Sequence, residues 1–450
     1  MLGKGREPRG QGLIDACRSM IPRAMKGGVA ILDQGLTTGS GFLIGILLAR
    51  WLTREQYGSF AVNLSVIVFL TMLYQSFLLE PMSVYGGSTY HDHLRSYLRV
   101  LLWLQLGIGI VLSLLLGMSA EVMRLAGHSG GLPGALAGAA LATPCILLVT
   151  LAKRAFYLRL SPIYAIAGAL LYAAVVLGGL FLAHAFGLAS PFVAFLLMGI
   201  GSALTSAFLL FSLRTRLEGT TIALHSWDIL KKHWSYGRWA LAGAAAMWLP
   251  YNIYYFFGVA QAGELKALMN FYAPVLQSCG ALSLLLLPYA ARAHQQGEAG
   301  GRLAWKISLL CVSGSVVYWA VVMVFREHAF RFLYSGRYME VTDLVGVVAL
   351  GSICWSAFFG PAIVLRAMES PASVFAAACA SSLFCLAVGI PITRAFGLRG
   401  AVWSMTVSEG IGLITAVILL QRAVARDYPH ASVPSPSTPL PVVLPLQPTE

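Results

Sequence analysis

Three acidic side chains sit in sequence that is otherwise apolar. Asp33 falls within a run of Gly, Ala, Leu and Thr, Glu409 is the one charged residue between Gly400 and Gln421, and Glu80 closes an apolar run just before Pro81. An ionisable group in hydrocarbon costs ~3 kcal/mol on insertion scales, so each of these acids needs a partner or a wet cavity. Asp33 and Glu409 are therefore candidate ion-coupling or cavity residues, protonatable or cation-binding. The plain alternative is a protonated or hydrogen-bonded acid that fixes helix packing. Gln34 and Thr37 extend a polar stripe from Asp33, whereas Glu80 reads as an interfacial residue.

Uncharged polar groups accompany them. The run WLPYNIYYFF (Trp248 to Phe257) places Asn252, Tyr251, Tyr254 and Tyr255 around Pro250, and Asn270, Tyr272 and Gln277 follow around Pro274. A proline frees a backbone carbonyl, tyrosine rings match sugar faces, and amides donate and accept. Asn252, Tyr255, Asn270 and Gln277 are accordingly candidate substrate contacts, with interfacial or packing roles as the alternative. Asn63, Gln75 and Gln105 offer a weaker version of the same pattern. Arg154 and Arg366 could hold a phosphate in bidentate fashion, or could simply anchor helix ends.

Catalytic chemistry finds no support. No glycine-rich loop followed by Lys and Ser or Thr is present, so direct ATP coupling is not expected, and no Ser, His and Asp grouping or paired carboxylate specifies hydrolysis. His91, Asp92 and His93 have ligand chemistry but no partners, and read as a solvated loop. Seven cysteines are scattered without framework spacing and read as packing residues. No cofactor and no metal are expected.

The elements that must position these groups follow from composition. With 58% hydrophobic and 11% charged residues the chain lies far outside soluble globular proteins. Eleven apolar windows, charge-free except for Glu409 in the last, predict twelve helices, because the window 160–213 is long enough to cross ~30 Å of hydrocarbon twice and is broken at AFGLASP. The fold class is all-α, a polytopic membrane protein of twelve transmembrane helices in two pseudo-symmetric six-helix lobes. The net charge of +13 is explained by topology rather than nucleic acid, because 22 of the 31 Lys and Arg residues fall on the side shared by both termini. The positive-inside rule places that side, and both termini, in the cytoplasm. The first 27 residues are basic and lack a cleavable apolar core, so no removable signal is expected.

The halves resemble one another. Ser161, Pro162 and AFGLAS (Ala185 to Ser190) are echoed by Ser370, Pro371 and AFGLRG (Ala395 to Gly400), and LLEPM (Leu78 to Met82) by LLLPY (Leu285 to Tyr289), all at nearly one offset. Six helices per half make parallel repeats, an arrangement used for alternating access with the substrate site between the halves. The expected organisation is a cytoplasmic segment 1–27, an N-lobe 28–213, a cytoplasmic linker 214–234, a C-lobe 235–422 and a Pro-rich tail 423–450 with little that could pack.

At LARWLTREQYGSFAV (Leu48 to Val62) the sequence resembles the polysaccharide transporter family of the multidrug/oligosaccharidyl-lipid/polysaccharide exporter superfamily, which includes O-antigen flippases. A small, polar first helix, an Ala-Arg-x-Leu turn and a Tyr-Gly opening of the second helix carry the similarity. The resemblance implies a V-shaped pair of lobes in a bacterial inner membrane. They would rock to pass an undecaprenyl diphosphate-linked oligosaccharide to the outer leaflet, alongside polysaccharide assembly enzymes. Sugars and diphosphate would occupy a central cavity while the lipid tail stays in the bilayer. The peptidoglycan-precursor flippase is similar but carries arginines deep in its cavity, where this chain has acids. Two other readings remain: a multidrug or metabolite cation antiporter of the same superfamily, and a membrane polysaccharide polymerase or ligase, against which the short outer loop Arg326 to Asp343 argues.

Overall fold

Hydrocarbon offers no partner for backbone amides, so a chain this apolar must satisfy them within helices. The computed structural model describes residues 32–90, 92–128, 130–158, 163–214, 225–296 and 300–427, and among these every regular element is helical. The protein is a multi-pass membrane protein. Leu32–Trp51 (α1), Arg54–Gly86 (α2), Leu94–Leu125 (α3), Gly131–Leu158 (α4), Ile163–Ala185 (α5) and Pro191–Leu213 (α6) are each long and apolar enough to cross a bilayer. Ser226–Asn252 (α7), Val259–Gln295 (α8), Gly300–Tyr334 (α9) and Val345–Ala367 (α10) follow. Pro371–Arg426 is one helical stretch in name only, because Gly397 adopts φ 58 and divides it into α11 and α12.

The lobes pack internally through α3, α5 and α6 on α4 or one another, and through α9, α10 and α12 on the other side. α2 joins them, lying against α7 and α8. The repeat seen in sequence has a geometric counterpart. Gly187 of AFGLAS and Gly397 of AFGLRG both take positive φ, 71° and 58°, a conformation that glycine reaches without steric cost. In α2 the helix widens into a π-turn at Gln75–Leu79 just before Pro81, while α8 bends by 43° between Ser283 and Leu286 just before Pro288. The matched prolines thus break helical regularity at corresponding places in both halves.

Three details differ from the sequence expectation. α7 begins at Ser226, inside the expected linker 214–234, because its first three turns hold an amphipathic stripe that charge windows cannot detect. α12 runs to Asp427, past the expected lobe end at 422. Lys266, which separates two charge-free runs of the sequence and so reads as a loop residue, lies about two turns inside α8. Residues 1–27, 215–224 and 428–450, Ser161, Pro162 and His91 lie outside the described residues.

Candidate functional site

The α1–α2 corner is where the lobes meet most closely, at the end that the charge count assigns to the outside, termed the outer end here. Thr53 caps α2 in a capping box: its hydroxyl accepts from the Gln56 amide and the Gln56 side chain accepts from the Thr53 amide, both at 3.2 Å. The cap aims Arg54 across the gap. Its guanidinium donates to both oxygens of Glu340 at 3.0 Å and to the Arg337 carbonyl at 2.7 Å, with Glu264 3.7 Å away. Arg337 returns a hydrogen bond to the Leu52 carbonyl. Behind this latch a Cβ on Gly58 would run into the Val259 carbonyl, and one on Gly263 would fall 2.9 Å from the Arg54 carbonyl, so glycine is what lets the backbones touch. The residues of the Leu48 to Val62 motif therefore close the outer end.

Away from the latch, a cleft separates α1 from α8. Gln34, Gly35, Thr38, Gly39 and Phe42 form one wall, and Pro274, Gln277 and Ser278 are part of the other. Gln34 Nε2 donates to Gln277 Oε1 across it at 3.1 Å. Among the expected substrate contacts, Gln277 is the one that lines this cleft.

Asp33 lies at the inner end of α1 and is 5% exposed. Lys153 of α4 donates to its Oδ1 at 2.9 Å and to Thr37 Oγ1 at 2.9 Å, while the Tyr157 hydroxyl donates to Oδ2 at 2.6 Å. This is a charge-compensated carboxylate, of the kind that excellent geometry and extra hydrogen bonds make tolerable. Glu409 of α12 has a different setting. Tyr272 donates to its Oε1 at 3.2 Å, and it lines a cavity within the C-lobe with Pro250, Tyr251, Trp355, Ser381 and Ser408. Among the described residues no cation pairs with it.

The remaining candidates divide between charge and packing. Arg154 and Arg366, one from each lobe, flank Glu80 at the inner end and are its electrostatic neighbours. Asn252 accepts from the Ser65 hydroxyl at 3.2 Å and donates to the Trp248 carbonyl at 3.1 Å, while Trp248 donates to the Ser65 carbonyl, tying α7 to α2. Asn270, 3% exposed, donates to the hydroxyls of Tyr57 at 3.1 Å and Tyr334 at 3.3 Å. Tyr255 is 6% exposed within the apolar core. Lys153 escaped the sequence reading because it stands beside Arg154 and Arg159 in what looked like a loop. A spacing of 120 residues hides its bond to Asp33. Among the described residues no group of three or more His, Cys, Asp or Glu side chains is placed to hold a metal ion.

No family model and no curated protein sequence matches the chain. Its fold is nevertheless shared with solved transporters. A multidrug resistance MATE family transporter of the MOP superfamily in an inward-facing conformation superposes with a TM-score of 0.69 at 13% identity, covering 89% of this chain and 96% of that one. The lipid II flippase MurJ in an inward closed conformation gives 0.67 at 14% identity over 90% of this chain and 89% of its own. A MOP superfamily transporter from Pyrococcus furiosus, described as having a binding pocket of reverse polarity, gives 0.58 at 14% identity over 89% and 94%. At these identities the likeness establishes the fold alone.

Proposed function

We propose that this chain is a flippase that passes a lipid-linked oligosaccharide, joined through undecaprenyl diphosphate, from the cytoplasmic to the outer leaflet of a bacterial inner membrane. The observation that carries the reading is the cleft between α1 and α8, where the Gln34 and Gln277 amides meet within an otherwise largely apolar lining, barred at the outer end by Arg54 and Glu340. Such a chamber suits a polar headgroup entering from the inner side while its tail remains in lipid. Gln34, Thr38 and Gln277 offer amides and hydroxyls to sugars. Lys153, whose side chain keeps 17% of its surface, and Arg154 and Arg366 offer cations to a diphosphate at the inner mouth. Asn252, Asn270 and Tyr255 act in this scheme on lobe packing, holding the cleft walls rather than gripping sugar.

In the working cycle the latch at Arg54 opens as the inner mouth closes, and Glu409 is the group whose proton or cation occupancy biases the C-lobe. The test is deletion of the gene followed by analysis of lipid-linked intermediates. Accumulation of undecorated, unpolymerised repeat unit in the cytoplasmic leaflet is the expected result. Repeat units exposed outside but left unpolymerised would instead indicate a polymerase or ligase. A second reading, a drug or metabolite cation antiporter, draws on one specific observation: Glu409 in a cavity lined by Tyr251 and Trp355 suits an organic cation. Cells carrying the gene would then accumulate less cationic drug than cells without it, and the lipid intermediates would be unchanged.

A further inference from the structure

The first turns of α7 do not resemble the rest of the membrane domain. Ile229, His233 and Gly237 recur every fourth residue and are buried. His233 Nε2 lies 2.7 Å from the Tyr97 hydroxyl and its Nδ1 3.3 Å from the Phe77 carbonyl, and a Cβ on Gly237 would sit 3.1 Å from Phe77 Cα. This stripe fixes the helix against α2 and α3 and sets the orientation of everything else it carries.

What it carries outward is Trp227, Lys231, Trp234 and Arg238, at intervals of four, three and four residues, which is one helical face. Trp227 is 60% and Trp234 55% exposed, and with Phe77, Leu230 and Ser235 the four line a surface cleft. The Lys231 ammonium stands 5.7 Å from the Trp227 ring centre, and the Arg238 guanidinium 5.6 Å from that of Trp239. Among the described residues no carboxylate pairs with Lys231 or Arg238. Asp228 lines a neighbouring cleft with Tyr90 and Lys232, on which Lys231 also borders. Large exposed indoles interleaved with cations are unfavourable in bulk water and unfavourable in hydrocarbon; they suit the headgroup layer, where the ring is half wet and the cation meets phosphate.

We propose that this cleft binds one acidic phospholipid of the leaflet that α7 enters. Its phosphodiester lies between Lys231 and Arg238, and an acyl chain runs along Phe77 and Trp234. The ligand belongs to the surrounding bilayer and not to the cargo, so the site does not depend on what the transporter carries.

The experiment uses the full chain purified in detergent, with native mass spectrometry of retained lipid after titration with phosphatidylglycerol or phosphatidylcholine. The wild type retains phosphatidylglycerol in preference. The K231Q/R238Q variant retains it about thirtyfold less well, as expected for two surface cations at ~1 kcal/mol each. K231R/R238K keeps the binding and confirms that the fold tolerates change here. Equal retention of the two lipids by the wild type, or undiminished phosphatidylglycerol retention by K231Q/R238Q, overturns the proposal. Displacement of the lipid by millimolar inorganic phosphate also overturns it, in favour of a site for soluble phosphate. Undiminished flipping in cells lacking the gene, with lipid retention by the purified chain intact, would refute the proposed function and leave this site standing.

Discussion

Asp33 and Glu409 occupy the two lobes and looked alike in sequence, each a lone acid in apolar surroundings. Their environments are opposite. Asp33 is met by an ammonium and a phenol within 2.9 Å, while Glu409 has a tyrosine hydroxyl at 3.2 Å and a cavity beside it. A carboxylate already matched to a fixed cation has little to gain from a mobile one. A carboxylate facing hydroxyls and space can exchange its partner, so under the proposed function Glu409 rather than Asp33 is the acid expected to exchange a proton or cation.

The comparison breaks most readily at Lys153. Lys153→Met strands a buried carboxylate and should cost about 3–5 kcal/mol, read as thermal unfolding in detergent. Adding Asp33→Asn should recover most of that loss. A Lys153→Met protein as stable as the wild type would show that the ion pair does not define the N-lobe acid. Glu409→Gln sharpens the contrast from the other side. It should abolish the dependence of transport on a proton or cation gradient while changing unfolding by less than about 1 kcal/mol, since an amide preserves the hydrogen bond to Tyr272.

A smaller effect is expected at the latch. Arg54→Ala removes an exposed bidentate pair, worth about 1 kcal/mol, and should raise the labelling rate of a cysteine introduced at the outer end of the cleft about fivefold. The smallest is at Tyr272→Phe, which deletes one hydrogen bond to Glu409 and should cost about 1 kcal/mol or less with the fold intact. If Tyr272→Phe and Glu409→Gln abolished gradient dependence equally, the hydroxyl would be part of the exchange site rather than its lining.

Much of the architecture was legible because lipid imposes it. A many-helix membrane fold follows from apolar window lengths, and the paired AFGL motifs, read in sequence only as a repeat, turn out to share a positive φ at Gly187 and Gly397. Hydropathy also misled where amphipathicity ruled, at the start of α7, whose buried stripe repeats every fourth residue and whose remaining faces are polar or aromatic. The candidate residues were found by type, but not sorted by role. Asn270 and Gln277 are separated by two helical turns and read alike; one is locked between Tyr57 and Tyr334, and the other faces the cleft. Only the partner helices decide that, and Lys153 shows the limit most plainly, since a basic residue near a helix end carries no mark of the acid it will meet.

The Arg54 to Glu340 bridge leaves 41% and 71% of its two side chains in contact with the medium. Screening shortens the reach of such a pair from ~30 Å in 0.01 M salt to ~8 Å at 0.15 M. At 3.0 Å the paired atoms lie well inside both lengths, so ordinary salt loosens this clasp only slightly, and the outer end stays fastened across the ionic strengths a cell meets.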